Sequence, residues 1–264
     1  MKDNLMKDNL MKNEFQIIAH RGFSELAPEN TYPAFDLAIK SGFHNFEFDV
    51  QLTKDHIPVV IHDFDLYRTT GIEGLISEKN FKEIENLQAK NNFKLDDGKY
   101  SIPKLDDLLR KYSGISNLHL ELKSRDQELA EIVFQSLRDN GWLNSKKSIY
   151  EPGGITISSF FLEQIIRYRK LDQNERTAWL LEKITEYDLE ICTDQKIDLI
   201  CPRAKFSNIN DVNIAKEKNI LVRNWGVSNK EDLIKAIDSE STGTTLDWPL
   251  KGKDILENHE NNKS

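Results

Sequence analysis

Cysteine is nearly absent from this sequence, with Cys192 and Cys201 its two copies. They stand too far apart for a tight zinc pair, and no second pair could complete a structural zinc site. Two reduced, partly buried thiols are expected, which favours a reducing compartment. Long apolar runs are missing as well. No stretch approaches the roughly 18 consecutive apolar residues of a membrane span, so stable membrane insertion is not expected. Positive charge is not in excess either. The net charge of -8 argues against broad binding to nucleic acid or anionic membranes. An acidic chain still binds an anion where the site carries its own local positive charge. Methionine is confined to Met1, Met6 and Met11, inside the opening MKDNLMKDNLMKNEF. That opening has lysines but no apolar core behind them, so it does not read as a secretory signal. Residues 1–14 are expected to form a polar, poorly ordered leader ahead of a fold that begins near Phe15. The cytoplasm is the expected location.

With 264 residues, 38% of them hydrophobic, the chain can bury one sizeable core. Nine short β-type runs alternate with helical patterns: FQIIAH, FEFDV, PVVIH, LHLEL, GITIS, TAWLL, DLICP, ILVRNW and GTTLD. Several of the helical patterns end in Gly or Asn after a basic residue, as helix C-termini often do. Such alternation predicts parallel strands joined by crossover helices. Charged positions in the strands favour a closed barrel over an open sheet. In LHLELK, Leu118, Leu120 and Leu122 share one face, and His119, Glu121 and Lys123 the other. In FEFDVQ, Phe46, Phe48 and Val50 oppose Glu47, Asp49 and Gln51. Strands of an open sheet covered on both faces should be nearly apolar throughout. A barrel can be apolar outside and polar inside near its mouth.

The expected fold is therefore α/β, a (β/α)8 TIM barrel over residues 15–250, a length such barrels typically need. A small insertion near the barrel mouth is expected from Tyr67 to Pro103, and a polar C-terminal tail over residues 251–264. Nine strands compete for eight places, and the link from Asp49 to Pro58 is shorter than a parallel crossover needs. Either that link is a helix-free extended loop, or one terminal segment lies outside the barrel.

Four stretches place charged residues at the carboxyl ends of predicted strands, where barrel enzymes carry their chemistry. They are His20-Arg21, Glu47-x-Asp49, His62-Asp63 and Glu121-x-Lys123. Each alone fits a hydrogen-bonded structural residue or a solvated edge. Together they are complementary. Glu47, Asp49 and Glu121 offer oxygen ligands without thiols, suited to a hard cation such as Mg²⁺ or Ca²⁺. His20 and His62 suit base and acid roles, since a free imidazole titrates near neutral pH. Arg21 and Lys123 suit a phosphate, by a fork and by a point charge. Carboxylates from two strands facing one lumen would otherwise repel at considerable cost.

IIAHRGFSELAPENTYPAFDLAIKSG followed by EFDVQLTKDHIPVVIHD resembles the glycerophosphodiester phosphodiesterase family. The pattern is H-R-G, P-E-N-T, E-x-D, T-x-D, V-V-x-H-D and a later E-x-K. The resemblance runs on through LYRTTG, IPKLDDLL, LHLELK and ISSF to WGV and LDWP. It implies a (β/α)8 barrel that hydrolyses glycerophosphodiesters, a small-molecule substrate, to glycerol 3-phosphate and an alcohol. It further implies His20 and His62 as the acid/base pair, with Arg21 assisting at the phosphate. Glu47, Asp49 and Glu121 would be the ligands of one divalent cation, Lys123 a phosphate contact and Trp225 a flank for the alcohol. Pro28 and Thr31 fit the start of the first helix. Two departures lie at the substrate end. Gly226 stands where the family often has Thr, and Leu246-Asp247-Trp248-Pro249 replaces Thr-Asp-x-Pro. Two alternatives remain: a lysophospholipase D-like or other lipid phosphodiesterase, for which FFLE at 160–163 offers a modest apolar ridge, and a catalytically silent phosphodiester-binding module.

Overall fold

The computed structural model describes residues 15–90, 93, 99–143 and 152–262. The expected leader, 1–14, and residues 91, 92 and 94–98 of the expected insertion lie outside the described residues. All nine predicted strands form: β1 (Gln16–Ala19), β2 (Asn45–Leu52), β3 (Pro58–Val60), β4 (Asn117–Leu122), β5 (Ile155–Ser159), β6 (Arg176–Leu181), β7 (Leu199–Pro202), β8 (Leu221–Val222) and β9 (Gly243–Leu246). Eight are parallel, in the order β8-β7-β6-β5-β4-β2-β1-β9. A parallel bridge between Asn224 and Thr244 brings the two ends of this path together. The result is a near-closed barrel of eight parallel strands.

β3 is the strand outside the ring, which corrects both expectations for the short link. It is neither an extended loop to a barrel strand nor a terminal segment. Residues 53–57 are too few for a crossover but enough for a hairpin, and β3 turns back antiparallel on β2, with Val60 opposite Val50 and Pro58 opposite Leu52. The Thr53 hydroxyl donates to Asp55 and accepts from the Ile57 amide, which holds the turn. α1 (Tyr32–Lys40) precedes β2, and beyond β3 the chain forms α2 (Tyr67–Thr70) and α3 (Phe81–Ile84). These short helices close a satellite core of Val59, Ile61, Leu66, Ile76, Ile84, Ala89 and Ile102. The insertion thus stands on the carboxyl end of β2, at the mouth as expected. The delayed crossover helix is α4 (Leu105–Tyr112), whose Leu105, Leu108, Leu109 and Tyr112 recur at helical spacing and are buried.

The ring of helices continues with α5 (Leu129–Asp139), α6 (Leu162–Leu171), α7 (Glu186–Asp194), α8 (Ile209–Glu217), α9 (Lys230–Asp238) and α10 (Pro249–Asn261). The strand alternation read from the sequence holds. Phe46, Phe48, Val50, Leu118, Leu120 and Leu122 face outward into the core shared with the helices. Phe35 of α1 stacks on Phe46 at 4.6 Å, and Tyr112 meets the same ring edge-on at 5.0 Å. Glu47, Asp49 and Glu121 point the other way. The parallel register sets Asp49 beside Glu121 and Glu47 beside His119.

The expected polar tail is corrected as well: most of it is α10, which closes the helix ring against β1. Its buried face is narrow, Pro249 and Gly252 with Ile255 and Leu256 partly covered, and apart from the exposed Leu250 its other positions are polar. A narrow apolar stripe is easily missed in such a composition. Both cysteines are free and buried. No helix of the described residues is long and apolar enough to cross a membrane.

Phe35→Ala removes a fully buried ring from the joint between α1 and β2, and should destabilise the protein by about 3–5 kcal/mol. Tyr187→Ala, on an exposed residue of α7, should change stability by less than about 0.5 kcal/mol. Urea unfolding of both variants measures the contrast, and equal losses would refute this account of the core.

Candidate active site

β1 delivers His20 and Arg21 to the barrel mouth, and the chain must then turn at once into α1. Gly22 makes that turn possible. Its φ is +80°, and a Cβ there would lie 2.6 Å from the backbone carbon of Ala34. Arg21 and Asn30 also hold left-handed backbone, at φ 55° and 57°. The Asn30 amide donates to the Arg21 carbonyl at 3.0 Å, and the Arg21 amide to Glu47 Oε2 at 3.1 Å. Thr31 occupies the N-cap position of α1 as expected, but its hydroxyl donates to the Pro28 carbonyl, and Pro33 is the proline of the first turn.

Each histidine is backed by an aspartate. His20 Nδ1 lies 2.6 Å from Asp247 Oδ1, and His62 Nδ1 lies 2.6 Å from Asp63 Oδ1. An Nδ1–H held by a carboxylate leaves Nε2 as the working nitrogen. Burial holds the His62 imidazole below its usual pKa, with Arg21 and Lys123 adding to that and Asp49 and Asp63 opposing it. Arg68 of the insertion ties the two loops together. It forks onto Glu29 at 2.6 and 2.7 Å and also donates to Asp63, while Glu29 accepts from Arg21 at 2.9 Å.

Beneath the histidines, ligand-type oxygens of Glu47, Asp49 and Glu121 lie within 4.8 Å of one another. The three residues are 4%, 1% and 8% exposed. Lys123 Nζ donates to Glu121 at 2.8 Å and sits 3.3 Å from Asp49. Arg21 Nε is 3.3 Å from the other Asp49 oxygen, which also accepts from Asn30 at 2.9 Å. Burial opposes ionisation of Asp49, but Lys123, Arg21, His62 and Asn30 prevail and hold its pKa below the usual carboxylate range. Glu47 goes the other way. Burial and then the charges of Asp49 and Glu121 push it well above that range, and Glu121 is pushed up to about 7 by burial and Asp49. Glu47 Oε1 and Asp49 Oδ1 are buried without a hydrogen-bond partner. Asp49 Oδ1 has only the Lys123 charge at 3.3 Å and Glu47 Oε1 has no partner, and such under-satisfied oxygens among three hard donors fit a hard divalent cation.

The pocket above the cluster holds about 410 Å³ and is lined by His20, Arg21, Glu47, His62, Glu121 and Lys123. Asp49 lies just beneath them. Trp225 forms the opposite wall, edge-on to Phe160 at 4.8 Å, with its indole N–H donating to the Leu181 carbonyl at 2.8 Å. Every site residue singled out from the sequence therefore comes to one pocket. Asp247, Glu29 and Arg68 lie in the quoted stretches LDWP, PENT and LYRTTG, which by themselves assign them no site role. Asp247 had a signal, since it directly follows a predicted strand as His20 does. The role of Arg68 is not legible locally, because its partners meet only in the folded chain.

Oxygen donors for a hard cation, two cations for an oxyanion and carboxylate-backed imidazoles all face one mouth of a parallel barrel. That combination marks the class of barrel enzymes that cleave phosphate esters. Residues 20–251 match the Glycerophosphoryl diester phosphodiesterase family, and the chain belongs to that family of enzymes. A glycerophosphodiester phosphodiesterase of Bacillus subtilis is 28% identical over 247 residues, covering 88% of this chain and 83% of its own. Among solved structures, a phosphodiesterase of Oleispira antarctica in complex with the product sn-glycerol-3-phosphate superposes with a TM-score of 0.81. It is 24% identical, over 92% of this chain and 96% of its own. A glycerophosphodiester phosphodiesterase of Agrobacterium tumefaciens gives a TM-score of 0.74 at 23% identity, over 92% and 99%. These structural likenesses establish the barrel fold.

The opposite shifts of Asp49 and Glu47 have opposite consequences in metal-free protein at pH 7. A depressed carboxylate stabilises the fold as an anion, and that stability is lost as pH falls through its folded pKa; a raised one opposes folding when ionised. Asp49→Asn should therefore destabilise the protein by about 3–5 kcal/mol, because it removes the buried anion that both Arg21 and Lys123 face. Glu47→Gln should leave the melting temperature in EDTA unchanged or raised. A large loss from Glu47→Gln would show that its charge supports the fold.

Proposed function

We propose that this protein hydrolyses glycerophosphodiesters to glycerol 3-phosphate and an alcohol, using one divalent cation, Mg²⁺ or Ca²⁺, and general acid/base catalysis. The observation that carries the reading is the cluster of Glu47, Asp49 and Glu121, with Glu47 Oε1 buried and unpartnered, set beside Arg21 and Lys123 under two carboxylate-backed histidines. Glu47, Asp49 and Glu121 would hold the cation. Bound there, it would offset the negative charge that develops on the phosphoryl oxygens. Arg21 and Lys123 hold the diester's free oxygens, and Lys123 is kept charged by Asp49 and Glu121 against the pull of burial. One histidine takes the proton of the nucleophile, water or a substrate hydroxyl, at Nε2, and the other gives a proton to the leaving alkoxide. Asp247 and Asp63 stabilise whichever imidazole is protonated and keep each ring in place. Trp225 flanks the alcohol. A small-molecule substrate is consistent with the product bound by the Oleispira antarctica relative. The buried free thiols favour a reducing compartment, and we place the reaction in the cytoplasm.

A lysophospholipid substrate is the second reading, favoured by Phe160, which is 38% exposed and continues the Trp225 wall toward solvent. A silent binding module is disfavoured because His20, His62 and the three carboxylates are all in place. Activity on a panel of glycerophosphodiesters and lysophospholipids, with and without chelator, separates the three.

EDTA should abolish hydrolysis, and Mg²⁺ or Ca²⁺ should restore it. Calorimetry should show cation binding lost in Glu47→Ala, Asp49→Ala and Glu121→Ala. Full turnover by metal-free protein would overturn the cation requirement.

His20→Ala and His62→Ala should each slow hydrolysis of a diester with a poor alcohol leaving group by at least about a hundredfold. With a p-nitrophenyl ester, whose leaving group needs no proton, the variant lacking the acid should recover much of its rate and the other should not. Equal recovery of both, or of neither, would rule out a division of labour between them.

A further inference from the structure

Arg223 follows β8 and points into the lumen, diametrically across the ring from β4, where it lines the floor of the same pocket. It is 3% exposed. An arginine buried to this degree ordinarily faces a carboxylate, because an unpaired buried charge is costly. Arg223 does not. Its Nη1 donates across the lumen to His119 Nδ1 at 2.6 Å, and the Cys201 thiol lies within the influence of the same guanidinium. Both neighbours are neutral. A ring nitrogen that accepts from a guanidinium carries no proton, so His119 is a neutral imidazole here, and burial raises the pKa of the Cys201 thiol. Nε has no hydrogen-bond partner, and no carboxylate of the described residues pairs with Arg223.

The carboxylates of the lumen are committed elsewhere. Glu47, Asp49 and Glu121 face Arg21 and Lys123. With a divalent cation and one phosphodiester bound, the charges of those five side chains and of the two bound groups cancel. The charge of Arg223 is left over. A hydroxyl on the substrate would accept one hydrogen bond without neutralising it, whereas an oxyanion does both. Ser158 and Thr245 line the same cavity and add polar surface beside it.

We propose that Arg223 forms an anion subsite on the pocket floor, selecting phosphodiesters whose alcohol carries a second acidic group, a carboxylate or a phosphate. The proposal rests on the diesterase reading above and adds a substrate class to it. Arg223 acts here by binding, as a specificity residue, and takes no part in proton transfer.

Glycerophosphoserine and glycerophosphoethanolamine differ by a single carboxylate, and kcat/KM for the two isolates the subsite. Glycerophosphoinositol with and without a 4-phosphate does the same for a phosphate source. The wild-type enzyme should prefer the acidic member of at least one pair by about tenfold or more, the discrimination given by one charge-assisted hydrogen bond. Arg223→Gln should abolish that preference by slowing the acidic substrate while leaving its neutral partner within about threefold. Arg223→Lys should keep part of it. Equal use of both members of both pairs by the wild type would overturn the proposal, whether or not the variants fold. So would an equal loss on all substrates in a folded Arg223→Gln protein, which would mark the residue as structural. Binding of O-phosphoserine against O-phosphoethanolamine, followed by calorimetry on the intact protein, reads the carboxylate arm without turnover. If no diester is hydrolysed with Mg²⁺ or Ca²⁺ the diesterase reading fails, and this binding ratio still decides the subsite: tighter phosphoserine binding that depends on Arg223 upholds it, and equal binding overturns it.

Discussion

Three carboxylates from two neighbouring strands share one barrel lumen, and their mutual repulsion sets the terms for everything around them. Asp49 is at the centre. It takes Arg21 on one oxygen and Lys123 on the other, with the Asn30 side chain as a further donor, and so remains ionised despite complete burial. Glu47 and Glu121 absorb the remaining strain by resisting ionisation. The strand spacing makes this unavoidable. Residues two apart on β2 face the same way, and the parallel register brings Asp49 beside Glu121. The left-handed backbone at Arg21 and Asn30 belongs to the same arrangement, since both residues bend inward to reach Asp49.

The insertion extends this dependence beyond the barrel. β3 leaves the ring and returns His62 and Asp63 to the mouth. Arg68, a few residues on, grips Asp63 and Glu29 together. Glu29 in turn holds Arg21. A chain of charge-assisted bonds therefore runs from the insertion through the first loop to the carboxylates, and the satellite core under α2 and α3 gives it a firm base. His20 is secured from the other end of the chain by Asp247, at the close of the last strand. The two histidines are thus fixed by separate parts of the fold.

The sequence disclosed the parts of this structure that obey a local period. Alternation along FEFDVQ and LHLELK separates core from lumen residue by residue, so the eight-strand barrel and the acidic cluster could be read before any contact was known. The direction of β3 could not, because a run of three apolar residues looks alike in either orientation; only the length of residues 53–57 bears on it. α10 escaped for a related reason, its single narrow apolar stripe being diluted by lysines, glutamates and asparagines. The pairing of His20 with Asp247 spans 227 positions and is set by closure of the barrel, which no local pattern encodes. Arg223 lies within the predicted run ILVRNW, just past the two residues that form β8, yet nothing local says that its neighbours will be a neutral histidine and a thiol.

The departures noted at the late tryptophan acquire a physical reason in the same way. Gly226 has φ +69°, and a Cβ there would lie 3.1 Å from Arg203 Cγ. Arg203 lies over the Trp225 ring, 5.4 Å from its centroid. Glycine at 226 and arginine at 203 therefore go together: a threonine would need a strained backbone and would crowd the side chain that packs on the indole. Trp225 is held by Arg203 on its face, by Phe160 at its edge and by Leu181 at its N–H. With its one donor already engaged, it has only apolar surface to turn toward a ligand. That wall can discriminate by shape but not by hydrogen bonding. Polar discrimination on this side of the lumen is left to the floor, where Arg223 faces a neutral histidine and a thiol.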